Sequence, residues 1–145
     1  MVLVRNFRKK DLEKVTYIAE VSLTEEYSDQ LFLALNNAEN TIFLVAEMNN
    51  TVVGFLSSIA NKDEDARILM LAVHPFYRNR GIGSSLLSTF QEICISNGIK
   101  RITLEVRPSN KRAIEFYRKR GFYSIEILED FYTNGEKAIK MLKTF

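Results

Sequence analysis

The sequence predicts an α/β fold: one mixed, mostly antiparallel sheet flanked by helices on both faces, in the order β-α-α-β-β-β-α-β-α-β-β. Three observations carry it. Short β-rich runs alternate with segments of helical apolar period along the whole chain. Asn49-Asn50 joins two of those runs, and a pair that tolerates positive φ suits a tight hairpin, so strands two, three and four should form an antiparallel meander. A third apolar run, 68–73, stops at His74-Pro75, crosses a short basic turn and enters a helix at Gly81-Ile82-Gly83.

Taken in order, residues 2–7 alternate well enough for a first strand. Asp11 then stands as N-cap of a helix carrying Leu12, Val15, Ile18 and Ala19. The periodicity breaks over 22–28, and a second helix follows with Leu31, Phe32 and Leu35. Residues 42–48 and 51–59 are the hairpin strands, and 61–66 is a polar turn before the run at 68–73. The helix from Gly81 places Ile82, Leu86, Leu87, Phe90, Ile93 and Cys94 on one face and closes at Asn97-Gly98. Residues 101–106 form a strand with Ile102, Leu104 and Val106 on one face and Thr103, Glu105 and Arg107 on the other. After Pro108, Ser109 or Asn110 caps a helix bearing Ala113, Ile114, Phe116 and Tyr117, which ends at Gly121; 122–128 and 137–142 make a closing hairpin.

Composition narrows the class. At 145 residues, 46% hydrophobic and 26% charged, the chain reads as a single domain, 1–145, of an ordinary globule able to bury its own core. A net charge of +2 on scattered Lys and Arg falls short of a nucleic-acid footprint. One cysteine allows no internal disulfide, and Cys94 sits on an apolar helix face, where packing is its expected role. No apolar run approaches the roughly 20 residues of a membrane span, and a cytoplasmic location is expected. No His or Cys pairs stand at metal-ligand spacing, so no metal is expected; His74, the only histidine, lies in a strand-exit loop.

The stretch from Ile68 to Leu87, ILMLAVHPFYRNRGIGSSLL, holds the chemistry. The first amides of a helix have no internal partner and sit at the positive end of its dipole, so they favour phosphate oxygens. Glycine lets a ligand approach the backbone, Arg78 and Arg80 add charge and Ser84 a hydroxyl. The turn therefore reads as a diphosphate cradle. A P-loop would need Gly-Lys-Ser/Thr, and a dinucleotide fingerprint a third glycine where Leu86 stands.

The string Arg78-Asn79-Arg80-Gly81-Ile82-Gly83 after Leu71-Ala72-Val73 resembles the acyl-CoA signature of the GNAT acetyltransferases, (Gln/Arg)-x-x-Gly-x-(Gly/Ala), in its usual place after strand four. The resemblance implies that acetyl-CoA is the co-substrate. Its diphosphate would lie on the loop Arg78, Asn79, Arg80, Gly81, Ile82, Gly83 and Ser84, and its pantetheine arm along the backbone of Leu71, Ala72 and Val73.

A second block, Leu104-Glu105-Val106-Arg107-Pro108-Ser109-Asn110 and then Ala113-Ile114-Glu115-Phe116-Tyr117, is similar to that of the N-terminal acetyltransferases of the ribosomal-protein and archaeal type. By that likeness Asn110 contacts the coenzyme, Tyr117 lies beside its sulfur and Glu105 is the general base. The residues suit those tasks. Acyl transfer from a thioester needs a neutral amine, an acceptor for its proton and a donor for the departing thiolate. A thiol near pKa 8.5 leaves readily, so a tyrosine need only hydrogen-bond it or protonate it late. Glu105 can take the proton directly or through water; paired with Arg107 or Arg101, it would be only a strand carboxylate.

Two loops frame an acceptor. Leu23-Thr24-Glu25-Glu26-Tyr27 and Phe131-Tyr132-Thr133-Asn134-Gly135-Glu136-Lys137-Ala138 are similar to the Leu-Pro-Glu-Asn-Tyr and Tyr-Tyr-x-x-Gly-Glu-Asp-Ala loops of the same enzymes, with Thr24, Glu26, Phe131 and Lys137 departing from the pattern. The resemblance implies a peptide or protein N-terminus as acceptor, held by Leu23, Glu25, Tyr27 and Tyr132, with an auxiliary subunit or the ribosome as candidate partners. A small amine or a lysine side chain is the alternative acceptor. A non-catalytic acetyl-CoA-binding module is the alternative of another class, since a fold alone does not dictate function.

Overall fold

The computed structural model describes residues 1–23, 28–61 and 64–145. Seven strands form one sheet: β1 (Val2–Asn6), β2 (Thr41–Met48), β3 (Thr51–Ala60), β4 (Asp65–Val73), β5 (Arg101–Val106), β6 (Tyr123–Leu128) and β7 (Ala138–Thr144), in the spatial order β1-β2-β3-β4-β5-β7-β6. All neighbours are antiparallel except β4 and β5. The helices are α1 (Leu12–Ser22), α2 (Asp29–Asn37), α3 (Ile82–Ser96) and α4 (Lys111–Lys119). The predicted order of elements and the meander of strands two to four are therefore present.

The sheet separates two apolar layers. Val15, Ile18 and Ala19 of α1 and Phe32 and Leu35 of α2 pack on Phe43, Val45, Phe55, Met70 and Ala72. On the opposite face Ile82, Leu86, Leu87, Phe90 and Cys94 of α3 pack with Ile68, Ile102, Leu104, Val106 and Met141. The predicted stripe of α3 is buried apart from the half-buried Ile93. Leu31, assigned by its period to the core face of α2, is exposed.

Turn chemistry behaves as the residue types require. Asn49 and Asn50 take φ of 54° and 64°, the double left-handed geometry that matches strand twist, and Met48 pairs with Thr51 across the hairpin. Asp11 departs from expectation. Its carboxylate does not cap α1; it accepts the Arg8 amide at 2.8 Å and both terminal nitrogens of Arg5 at 2.8 Å. A neighbouring cation and amide outcompete the helix end for the same oxygens. The polar turn is also shorter than the sequence suggests, since Asp65 and Ala66 already belong to β4, together with Arg67.

Those three residues create the feature that matters for function. β4 and β5 run parallel, and their ladder spans only Asp65, Ala66 and Arg67 against Arg101, Ile102 and Thr103. A bulge at the β3–β4 pairing, between Ser57 and Ser58, bends β4 just beyond this point. From there β4 keeps its rungs with β3, through Leu71, Ala72 and Val73, and shares none with β5. The sheet opens into a slot at its centre.

Candidate active site

The slot is lined from both sides. Leu71, Ala72 and Val73 form its β4 edge, with backbone groups that no β5 rung engages. At the exit of β4 a 3-10 turn, Pro75–Tyr77, leads to the basic loop. Asn79 and Gly81 both sit in left-handed geometry, φ 64° and 78°, and Gly81 is the N-cap of α3. A side chain at Gly81 would strain that turn although nothing stands within 4 Å of it. Gly83 differs in having close neighbours. A Cβ there would stand 3.4 Å from the Phe116 ring and 3.8 Å from Val73 Cγ2, so its absence keeps open the space between the start of α3, the end of β4 and α4.

The charges around this space point to an anion. Arg78 is half-buried, and burial followed by repulsion from Arg112 of α4 lowers its pKa. Among the described residues neither guanidinium pairs with a carboxylate. Arg80 is exposed, its Cζ 5.3 Å from the Tyr77 ring centroid and 5.8 Å from that of Phe76. Ser84 Oγ accepts from Arg120, whose guanidinium also lies 3.8 Å over the Phe116 ring and donates to the Phe116 carbonyl at 2.9 Å. That hydroxyl is therefore spoken for as an acceptor and retains its own proton to offer a ligand. Asn110, rather than Ser109, caps α4, accepting the Ala113 amide at 3.1 Å, which leaves its amide nitrogen to donate.

Glu105 and Tyr117 belong to opposite faces of the sheet at β5. Tyr117 belongs to the α3–α4 layer, 7% exposed, with the rings of Phe116 and Phe122 edge-on at 5.2 and 5.3 Å. Burial pushes its phenol well above the ordinary tyrosine value, so the proton stays on. Glu105 emerges on the other face. Neither Arg107 nor Arg101 pairs with it; its partner is Arg67 of β4, whose Nε donates to Oε1 at 2.8 Å and whose Nη2 lies 2.6 Å from the same oxygen. Arg107 instead turns to the closing hairpin, donating to Glu136 at 2.6 Å. Arg67 stands opposite Thr103, so it meets Glu105 diagonally across the strands, a span of about 7–8 Å that a long guanidinium side chain bridges.

The acceptor loops are partly in view. Leu23 packs on the α1–α2 layer, and the preceding Ser22 donates from Oγ to the Val73 carbonyl at 3.2 Å, tying the start of that loop to the end of β4. Glu25 and Tyr27 lie outside the described residues. Tyr132 stacks on Arg107, so the closing hairpin lies beside the end of β5. His74 is committed elsewhere: its Nδ1 accepts the Phe76 amide at 3.1 Å and its ring stacks on Tyr17 at 5.7 Å. Cys94 is fully buried, and burial pushes its thiol up to about 12. Among the described residues no three His, Cys, Asp or Glu side chains gather as metal ligands, and no helix is long and apolar enough to cross a membrane.

The β4–β5 ladder thus ends early beside a glycine-opened helix start, and a buried tyrosine stands in the layer that packs on β5. Residues 9–122 match the Acetyltransferase (GNAT) family. The chain belongs to that family. The GNAT fold, with its seven-stranded sheet and four helices, is thus this chain's fold, and acyl-CoA-dependent N-acetyl transfer is the family's activity. An N-alpha-acetyltransferase of Sulfurisphaera tokodaii is 29% identical over 95% of this chain and 90% of its own length. The crystal structure of Ard1 from Thermoplasma volcanium superposes with a TM-score of 0.94 at 36% identity, covering 99% of this chain and 97% of that one. Arabidopsis thaliana Naa50, solved with the bisubstrate analogue CoA-Ac-MVNAL, superposes with a TM-score of 0.87 at 28% identity over 99% of both chains. Acetyl-CoA is the GNAT co-substrate, and the open β4 edge, the space above Gly83 and the unneutralised Arg78 and Arg112 fit its arm and phosphates.

Two contributors escaped the sequence reading. Arg67 stood between the polar turn and the apolar run with no role, and nothing in its spacing to Glu105 announces a pair between residues 38 apart. Arg120 was given no role of its own; its helix position four residues beyond Phe116 was the available signal.

Proposed function

We propose that this GNAT enzyme transfers the acetyl group of acetyl-CoA to the α-amino group of a protein or peptide N-terminus. One observation carries the reading: Glu105 and Tyr117 belong to opposite faces of the sheet, Glu105 just past the end of the β4–β5 ladder and Tyr117 in the layer that packs on β5. A donor entering from the α3–α4 side and an amine entering from the α1–α2 side then meet at the slot, each beside the residue suited to its proton. Acetyl-CoA supplies the activated acyl carbon. The loop from Arg78 to Ser84 and Asn110 hold its phosphates, and the edge at Leu71, Ala72 and Val73 aligns its arm. Glu105 accepts the proton that the amine sheds, directly or through one water. Tyr117, kept protonated by burial, donates a hydrogen bond to the departing sulfur.

The α-amine is favoured by the loops at the acceptor side. Leu23 starts one beside the end of β4 and Tyr132 stands in the other beside the end of β5, and the reading is supported by a relative named N-alpha-acetyltransferase and a similarly folded enzyme solved with a peptide bisubstrate analogue. Chemistry agrees. An α-amine has a pKa near 7.7 to 8.0 and lysine near 10.4, so presenting neutral lysine costs about 3.5 kcal/mol more at neutral pH. The test uses two peptides of one sequence, one with a free N-terminus and blocked lysine, the other with acetylated N-terminus and free lysine. Mass spectrometry should show faster modification of the first; faster modification of the second overturns the assignment.

A further inference from the structure

Arg67 is the last residue of β4 that shares a rung with β5, opposite Thr103. Glu105 lies two positions further along β5, on the face of Thr103 and past the end of the ladder. The guanidinium therefore crosses the vertex of the slot at the point where backbone pairing gives out. Its Nε donates to one carboxylate oxygen, Oε1, at 2.8 Å, and Nη2 lies 2.6 Å from that same oxygen. Among the described residues Oε2 has no partner. An ion pair that merely stapled two strands would gain most from a fork-to-fork geometry, one donor to each oxygen. This one pins a single oxygen.

A second cation stands on the other side. Lys140 of β7 is opposite Glu105 in the β5–β7 register, and Glu126 of β6 is opposite Lys140, so Arg67, Glu105, Lys140 and Glu126 form a row of alternating charge across four strands. Lys140 and Glu105 do not come within ion-pair distance. Arg67 thus decides which way the Glu105 carboxylate turns, toward the β4 side of the slot and away from β7. Its own side chain is 37% exposed and that of Glu105 10%, so the pair is shielded on the Glu105 side and open to solvent on the Arg67 side.

We propose that Arg67 is a positioning residue for acyl transfer: it holds Oε1 of Glu105 and so presents Oε2 to the proton of the incoming amine. The inference rests on the reading of Glu105 as the proton acceptor. Without Arg67 the carboxylate is drawn toward Lys140, and a displacement of about 1 Å is worth on the order of 100-fold in rate.

The experiment compares Arg67→Met, Arg67→Lys and Arg67→Ala with Glu105→Gln and the double variant Arg67→Met/Glu105→Gln, using acetyl-CoA and a free-N-terminus peptide. Arg67→Met should lower kcat by about 100-fold while the KM for acetyl-CoA stays within about twofold. Arg67→Lys, which keeps the charge but loses the fork, should recover only part of the rate. Guanidinium added to Arg67→Ala should restore activity in a saturable way, which a lost strand staple would not allow. In the Glu105→Gln background the Arg67 substitution should cost nothing further. Unchanged kcat in Arg67→Met, or an equal loss with and without Glu105, overturns the proposal. Full activity of Glu105→Gln alone would instead remove the reading on which it rests. Should Arg67→Met not fold, Arg67→Lys and its double variant decide the same question.

Discussion

Arg107 lies 3.9 Å beneath the ring of Tyr132 while its Nη1 donates to Glu136 at 2.6 Å, so one guanidinium joins the end of β5 to the closing hairpin. Ser109 adds its hydroxyl to the other oxygen of Glu136 at 3.0 Å. The Arg107 hydrogen bond, outweighing the opposing effect of burial and aided by Ser109, holds that carboxyl below its usual range. The hairpin's aromatic residue is thereby fixed beside the strand that bears Glu105. Tyr132→Ala should raise the KM for a peptide acceptor by about fivefold, a loss of the size of one exposed cation–π contact, with acetyl-CoA affinity unchanged. Steady-state kinetics with each substrate varied in turn reads this directly.

At Gly83 the available space is the width of a Cβ in ordinary contact with Phe116. Gly83→Ala should therefore be tolerated. Gly83→Leu should weaken acetyl-CoA binding more than it lowers Tm, because the longer side chain fills the gap between α3 and α4. Calorimetric titration of the coenzyme beside a thermal melt separates the two effects.

Tyr117→Phe should lower kcat by roughly 10²-fold and leave acetyl-CoA affinity nearly intact, since the ring still packs on Phe122 and only the hydroxyl is lost. The same residue predicts an alkaline limit to stability. Its folded pKa is raised by burial, so above the unfolded value near 10 the unfolded chain ionises while the folded one does not, and stability falls as pH rises toward the folded value. Denaturant midpoints measured from pH 9 upward should decline less steeply in Tyr117→Phe.

Asp11 works in the opposite direction. Burial alone would raise its pKa, but the hydrogen bonds from Arg5 and the Arg8 amide override this and lower it. Its contribution to stability is present above the unfolded value near 3.9 and is lost as pH falls through the lower folded value. Asp11→Asn should cost about 2 kcal/mol at neutral pH, since Arg5 keeps only Glu47 at 2.6 Å. The difference from the unsubstituted protein should vanish in acid, as urea titrations at pH 7 and pH 2 would show.

The sequence by itself determined the element order, the hairpin at Asn49-Asn50, the stripe of α3 and the glycine-opened helix start, because each depends on the local backbone and on period. Residues 81–83 dictate their own geometry within a few bonds. The same holds for Asn110, whose side chain reaches an amide three residues on. The partners of charged residues were not legible in this way. Glu105 had arginines within four residues on either side of it in the chain and took Arg67, 38 residues away, while Asp11 gave up a helix cap for Arg5. Which cation meets which carboxylate is set by strand register and by where the β4–β5 ladder ends, and both follow from packing two layers on one sheet. The slot itself is likewise a tertiary product: it exists because β4 bends at its bulge and leaves β5, a divergence that no spacing within either strand encodes.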